Sequence, residues 1–197
     1  RDHTEQFWMD SGYSMVPSAR DETFIEIMKP TYTMSGDELA DARVAFEQAV
    51  KSFLGRLTPD MSEYEMEKAL HDMLATKVEY VSSANAHNAY GALVEGKAVC
   101  EGYAESLQYL LQRVGIQAVE VFGYGITENG GENHAWNIVR IDGQYYLIDL
   151  TWNDQKNMIS YVYFNQTSAR FDKDHIEWIV GYENGDDWAG GFAMPEC

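Results

Sequence analysis

The sequence predicts an α+β domain in which helices come first along the chain and an antiparallel sheet follows. Apolar residues recur at helical spacing between residues 35 and 114, whereas β-branched and aromatic residues alternate after Gly115. The 197 residues are 45% hydrophobic and 13% aromatic, which supports a sizeable core. We therefore expect a main domain over residues 35–171, an N-terminal arm over residues 1–34 and a C-terminal extension over residues 172–197.

Two capping boxes mark the first two helices. Ser35 with Glu38, and Ser62 with Glu65, have the spacing at which a side chain caps the first turn of a helix. Each pair precedes a run of apolar residues at helical intervals. Two amphipathic helices are therefore predicted before residue 80.

A third helix is predicted from Val99 to Val114, and it places Cys100 in its first turn. Its apolar residues recur at helical spacing, and Gly115 is typical of a helix end. The segment before it, residues 82–98 (SSANAHNAYGALVEGKA), is rich in small and polar residues. That composition favours a long surface loop, which is a frequent place for functional residues.

Four segments with the pattern of strands follow the third helix. The first contains Val119 and Val121, and a glycine-rich segment at residues 123–133 favours a mobile turn after it. The other three candidates are His134–Ile141, Gln144–Asp149 and Ile159–Phe164. Asp142-Gly143 is typical of a hairpin turn, so the second and third segments are expected to pair antiparallel.

The two ends of the chain lack this regular patterning. Residues 1–34 mix aromatic and polar residues, and we expect an irregular arm with one short strand over Phe24–Met28. Residues 172–197 hold seven acidic residues against one basic residue, with aromatic residues between them. We expect an edge element or loop whose aromatic side chains pack on the domain. A solvated acidic face is favoured over calcium binding, because no EF-hand spacing is present.

The charge and the cysteine count exclude several classes of function. With 14 Lys+Arg against 32 Asp+Glu the net charge is −18, which argues against binding to nucleic acid or to an anionic membrane surface. No apolar run approaches the ~18 residues of a membrane-spanning helix, so no membrane insertion is expected. The two cysteines, Cys100 and Cys197, lack zinc-binding spacing, and we expect no metal, no cofactor and no disulfide scaffold.

Cys100, His134 and Asp149 are the strongest candidates for chemistry. A helix N-terminus and a neighbouring imidazolium both stabilise a thiolate, and His134 begins a strand after the glycine-rich segment. With a two-residue turn at 142 and 143, residue 134 pairs near residue 151, so Asp149 lies on the neighbouring strand and on the same face. Each residue alone also fits a structural role, such as a small buried cysteine. The combined placement of the three residues favours a nucleophile, a base and an orienting carboxylate.

The remaining histidines are less well placed for this pairing. His71 lies inside a predicted helix, and His3 and His175 lie in or beside the weakly patterned ends. His87, in the segment before Cys100, is the second candidate for the base.

Three segments in this order resemble the transglutaminase-like superfamily. They are residues 96–104 (GKAVCEGYA), 134–137 (HAWN) and 149–152 (DLTW). The resemblance covers roughly residues 60–165 and implies a papain-like α+β core. It also implies Cys100 as nucleophile, His134 as general base and acid, and Asp149 as the carboxylate that orients the histidine.

The resemblance further implies a thiol enzyme that acts on peptide or isopeptide amide bonds through a thioester. A cysteine peptidase of the short bacterial type, with a protein or peptide substrate and no cofactor, is favoured. Two alternatives are a protein-glutamine γ-glutamyltransferase, which crosslinks or deamidates, and a non-catalytic protein-interaction module. Short bacterial members are frequently secreted, and the chain begins at Arg1 rather than methionine, so an extracytoplasmic or secreted location is expected.

Three aromatic residues near the triad are additional candidates. Members of the superfamily often use an upstream aromatic donor for the oxyanion, which points to Tyr90 beside the backbone N–H of Cys100. A tyrosine that only packs is the alternative. Trp136 and Trp152 adjoin the triad in sequence and are candidates for substrate binding.

Overall fold

The computed structural model describes residues 3–17, 25–155, 158–180 and 197. The main domain begins with three long helices, α1 (Gly36–Leu54), α2 (Glu63–Lys77) and α3 (Cys100–Arg113). A four-stranded antiparallel sheet follows, in the order β10-β5-β6-β7. Its strands are β5 (Gln117–Thr127), β6 (Gly130–Ile141), β7 (Gln144–Ile148) and β10 (His175–Val180). The predicted α+β class is confirmed.

The smaller elements complete the chain order. They are a 3-10 turn (Thr4–Gln6), β1 (Met9–Pro17), β2 (Ile25–Tyr32), β3 (Glu79–Tyr80), a π-helical turn (Gly91–Glu95), β4 (Lys97–Ala98), α4 (Leu150–Asn153), β8 (Asp154–Gln155), β9 (Met158–Ile159) and α5 (Ser168–Phe171). The short strands β3 and β4 pair in parallel, whereas β8 and β9 form an antiparallel pair. Within the described residues, no helix is both long and apolar enough to cross a bilayer.

Of the two predicted capping boxes, the structure contains one. Ser62 and Glu65 form the predicted capping box, since the Ser62 side chain accepts from the Glu65 backbone and the Glu65 carboxylate accepts from the Ser62 N–H at 2.8 Å. At α1, Ser35 is the N-cap but its side chain makes no capping hydrogen bond. Gly36 has a φ of +58° there, a left-handed conformation that sets how the chain enters the helix.

Helix α3 is the central buried element. Ten of its residues, from Gly102 to Leu111, are buried, and its apolar side chains share one core with α1, α2 and the strand residues Val139 and Ile148. A helix buried on most of its surface is held by packing on several sides. Cys100, at the start of α3, is therefore attached to the most firmly packed part of the domain.

The surface loop predicted for residues 82–98 is wrong. Ala86, Ala89 and Leu93 in this segment are buried, and the π-helical turn and β4 lie within it. The small residues serve close packing: a Cβ at Gly91 would clash with the Asn85 carbonyl, and one at Gly102 would clash with the Ala86 carbonyl. Small side chains therefore let this segment lie directly against the start of α3.

Three further expectations differ from the structure. The N-terminal arm contains the antiparallel pair β1 and β2 instead of one short strand; Phe24 of the predicted strand lies outside the described residues. The glycine-rich segment is mostly strand, with only residues 128 and 129 between β5 and β6. Ile159–Phe164 is not a strand beyond Ile159, because the backbone of Tyr163 is hydrogen-bonded to the Asn153 side chain and to Asp149.

Candidate active site

The thiol of Cys100 lies at the amino end of α3. Val99 is the N-cap residue and its backbone N–H donates to the Ala86 carbonyl at 2.9 Å, which ties the start of the helix to the packed segment before it. Cys100 is half-buried and forms no disulfide. The unpaired N–H groups of a helix start favour a negative charge at this position.

His134 and Asp149 meet across the hairpin of β6 and β7. The register pairs Asn137 with Ile148, so residue 134 stands opposite the chain just beyond β7, as the two-residue turn predicts. His134 Nε2 lies 2.8 Å from Asp149 Oδ2, and both side chains are buried. Asp149 Oδ1 also accepts from the backbone N–H of Trp152 at 3.1 Å, because Asp149 caps α4. The carboxylate is thereby fixed in orientation.

A hydrogen bond also joins His134 to Cys100. Because Nε2 is bonded to Asp149, Nδ1 is the ring nitrogen left for the thiol. Burial disfavours the charged imidazolium, but the charge and hydrogen bond of Asp149, followed by those of Cys100, raise the pKa of His134 to about 10. Burial acts to raise the pKa of Asp149, yet the charge of His134 and the hydrogen bonds from two histidines hold it below its usual range. The arrangement favours an imidazolium beside an anionic partner.

The two tryptophans take different positions. Trp152 is half-buried and stacks on His134, with ring centroids 5.1 Å apart and planes at 27°. Gly125 makes room for this stack, since a Cβ there would lie 2.7 Å from the Trp152 ring. Trp136 is only 1% exposed and packs behind His134. We therefore correct the assignment of Trp136 to substrate contact, because its burial leaves it no surface for a ligand.

Tyr80, rather than Tyr90, is the tyrosine at Cys100. The backbone N–H of Cys100 donates to the hydroxyl of Tyr80. Burial, and then the nearby Cys100, Glu132 and Asp149, raise the pKa of Tyr80, so its hydroxyl stays protonated. Tyr90 instead stacks on Phe7, with ring centroids 4.7 Å apart. The oxyanion role of Tyr90 remains a prediction from sequence, and Tyr80 was missed because only the pairing of β3 with β4 brings it to the helix start.

A cleft of about 960 Å³ opens beside His134. Tyr80, Trp152 and Met158 line it together with three carboxylates, those of Glu79, Glu132 and Asp154, and the described part of the lining holds no lysine or arginine. These three carboxylates give the described lining of the cleft an acidic character.

His175 is a member of the site that the sequence did not reveal. It is the first residue of β10, it is fully buried, and its Nε2 lies 3.1 Å from Asp149 Oδ2. The sequence predicted only an edge element or loop over residues 172–197, and the pairing of β10 with β5 carries the ring to Asp149. His134, Asp149 and His175 have polar atoms within 4.8 Å of one another, and both Nε2 atoms face Asp149 Oδ2, so the three side chains form one hydrogen-bonded cluster.

One protein family is similar to this chain over half of its length. The sequence model of the transglutaminase-like superfamily matches residues 51–150. The triad candidates and the packed segment before Cys100 all lie inside that range.

Individual relatives also match part of the chain. Over 127 residues the chain is 30% identical to kyphoscoliosis peptidase of Mus musculus and 28% identical to that of Homo sapiens. Each alignment covers 55% of this chain but only 19% of the relative. Among solved structures, a crystal structure of a TGase has a TM-score of 0.48 at 15% identity, over 75% of this chain and 45% of that one.

Proposed function

Because the chain belongs to the transglutaminase-like superfamily, we propose that it is a cysteine enzyme that hydrolyses peptide or isopeptide amide bonds. The observation that carries this proposal is the hydrogen-bonded chain from Cys100 through His134 to Asp149, at the edge of an open cleft. The proposed nucleophile contacts the proposed base, and the base contacts the proposed orienting group, which is the arrangement that covalent amide cleavage requires.

The reaction proceeds in two acyl-transfer steps. The thiolate of Cys100 attacks the amide carbonyl carbon, a C–S bond forms, and the tetrahedral intermediate collapses as the C–N bond breaks. The His134 imidazolium gives its Nδ1 proton to the leaving amine. Water then loses a proton to His134 and attacks the thioester, the C–S bond breaks, and a carboxylic acid is released as the thiolate–imidazolium pair is restored. Asp149 holds the ring in one orientation throughout.

The backbone N–H of Cys100 and the hydroxyl of Tyr80 are the two donors suited to the oxyanion. In the free site the N–H donates to Tyr80. A bound carbonyl oxygen would accept that N–H in place of Tyr80 and would receive the Tyr80 O–H as a second donor. Tyr80 is 56% exposed, so its ring has room for this small shift.

Removal of the Tyr80 hydroxyl is expected to slow turnover without affecting the thiol. In Tyr80→Phe, kcat should fall about 10²-fold, the usual loss for one oxyanion donor. Alkylation of Cys100 by iodoacetamide should keep its wild-type rate, because that reaction forms no oxyanion. Tyr90→Phe is the matched control and should leave both rates unchanged. If kcat fell in Tyr90→Phe and not in Tyr80→Phe, the oxyanion donor would be Tyr90.

A substrate panel tests the proposed function. Peptides with lysine or arginine beside the scissile bond should be cleaved faster than neutral or acidic peptides, and the preference should weaken with added salt because exposed charges are screened. Release of a new amino terminus, measured by mass spectrometry, reports hydrolysis. Absence of cleavage across the panel, by a protein whose Cys100 alkylates rapidly, would contradict a hydrolase.

Acyl transfer to an amine is the second candidate, and the carboxylates of the cleft favour it. Glu79, Glu132 and Asp154 would attract the ammonium group of a lysine acceptor as readily as a basic substrate segment. The same panel, repeated with glutamine-containing peptides and a labelled primary amine, separates the two reactions. Incorporation of the amine in excess of hydrolysis would identify a transferase.

A further inference from the structure

His175 lies between two carboxylates behind the candidate triad. Its Nε2 is 3.1 Å from Asp149 Oδ2, and its Nδ1 is 2.9 Å from Asp174 Oδ1. Carboxylate oxygens only accept hydrogen bonds, so the ring nitrogen that faces Asp149 is a donor. Asp149 Oδ2 consequently receives two hydrogen bonds, one from each histidine.

Asp174, at the far end of this series of hydrogen bonds, is anchored as well. Asp174 Oδ2 accepts from the hydroxyl of Tyr163 at 2.8 Å and from the guanidinium of Arg170 at 3.1 Å. The backbone of Asp174 accepts from Ile126 of β5 at 2.7 Å, which fixes the start of β10. The anchored carboxylate holds the ring of His175 by its Nδ1 and aims Nε2 at Asp149.

Aromatic rings enclose His175 on several sides. The nearest ring centroids are those of Phe171 at 4.3 Å, Trp152 at 4.4 Å and Trp136 at 4.8 Å. The side chain has no exposed surface. This enclosure keeps water from the ring, so its hydrogen bonds are stronger than they would be in water.

Resting on the proposed function, we propose that His175 is a positioning residue for the reaction. It acts through Asp149: the second hydrogen bond keeps Oδ2 directed at His134 Nε2 and keeps the carboxylate a poor proton acceptor, so that the proton stays on His134. The titratable groups in the described structure that face His175 are Asp149, Asp174, His134 and Tyr163. Cys100 is reached only through Asp149 and His134.

Two amide variants separate this role from simple packing. His175→Gln places an amide N–H near the present Nε2 and keeps the donor to Asp149. His175→Asn is shorter, reaches only the side of Asp174, and removes that donor. Phe171→Leu is the packing control, because it disturbs the same aromatic enclosure and leaves all hydrogen bonds of His175 in place.

We expect His175→Asn to lower kcat about 10- to 100-fold with KM within about twofold, the size of loss found when a group behind a functional ligand is removed. Alkylation of Cys100 at pH 6 should slow about tenfold, since a His134 that holds its proton less firmly stabilises the thiolate less. His175→Gln should recover most of both rates. Phe171→Leu should lower the melting temperature while both rates stay within about twofold.

Equal behaviour of the Gln and Asn variants, or an effect of Phe171→Leu as large as that of His175→Asn, would overturn the proposal. The alkylation rate needs no substrate, so it judges His175 even if no cleavable peptide is found. Should His175→Asn fail to fold, a nitrogen-15 NMR spectrum of the wild-type histidine rings decides the question. A proton on His175 Nε2 is expected, and a bare Nε2 would overturn the role.

Discussion

Cys100→Ala and His134→Ala are each expected to abolish turnover while the domain stays folded. Loss of a covalent nucleophile or of its base lowers kcat by about 10⁶-fold in comparable hydrolytic triads. Cys100 is half-buried and small, so alanine leaves little empty space. In His134→Ala the buried Asp149 still accepts hydrogen bonds from His175 and from the Trp152 N–H, which limits the cost of leaving the carboxylate without its first partner.

Asp149→Asn should retain more activity than either of these variants. An amide in place of the carboxylate no longer favours the imidazolium, and losses of about 10⁴-fold are typical for such a change. Rates of peptide cleavage, compared at equal folded fraction by circular dichroism, give the ranking. If Asp149→Asn were as inactive as Cys100→Ala, the carboxylate would do more than orient the His134 ring.

His87→Ala is the matched control for the base. His87 is largely exposed and pairs with Glu101 at 2.8 Å, close to the start of α3 but outside the hydrogen bonds of Asp149. We expect wild-type turnover from it. If His134→Ala kept its activity and His87→Ala lost it, the base would be His87.

The charge of His134 is expected to make the unfolding free energy fall at alkaline pH. Its pKa is raised to about 10 in the folded protein, against about 6.5 in the unfolded chain. The folded state therefore binds more protons between these values, so the stabilisation is complete below pH 6.5 and is lost as the pH rises through 10. The limiting slope is about 1.4 kcal/mol per pH unit for one proton.

Urea denaturation of the wild-type protein between pH 6 and 10 measures this slope. His134→Gln should remove the slope above pH 8. Glu67 provides an internal comparison, because burial raises its pKa to about 8 despite the hydrogen bond from Asn165. Glu67→Gln should remove only the part of the slope between about pH 4.5 and 8. A flat profile above pH 8 with His134 intact would contradict an imidazolium at this site.

The sequence predicted the elements whose signals are local. The capping box at Ser62, the apolar spacing of α3 and the Asp142-Gly143 turn each act over a few residues, and the turn also set the register that brings His134 to Asp149. Each of these signals is decided by neighbouring residues, before any distant part of the chain is in place.

Tertiary contacts decided the rest. Ala86 and Gly91 resemble residues of an exposed loop, but they are small because the backbone of α3 lies against them. Tyr80 and His175 reach the site only through the pairing of β3 with β4 and of β10 with β5. Strand partners of this kind are separated by tens of residues, and no local pattern specifies which strands will meet.

The close backbone contact of Gly102 with Ala86, and the hydrogen bond from Val99 to Ala86, fix the start of α3 and with it Cys100. Residues of other elements line the cleft beside His134. Gln155 and Met158, on the β8–β9 hairpin, line the same cleft and are exposed. Substitutions of Gln155 and Met158 are therefore expected to change substrate selectivity and to leave the reaction at Cys100 and His134 undisturbed.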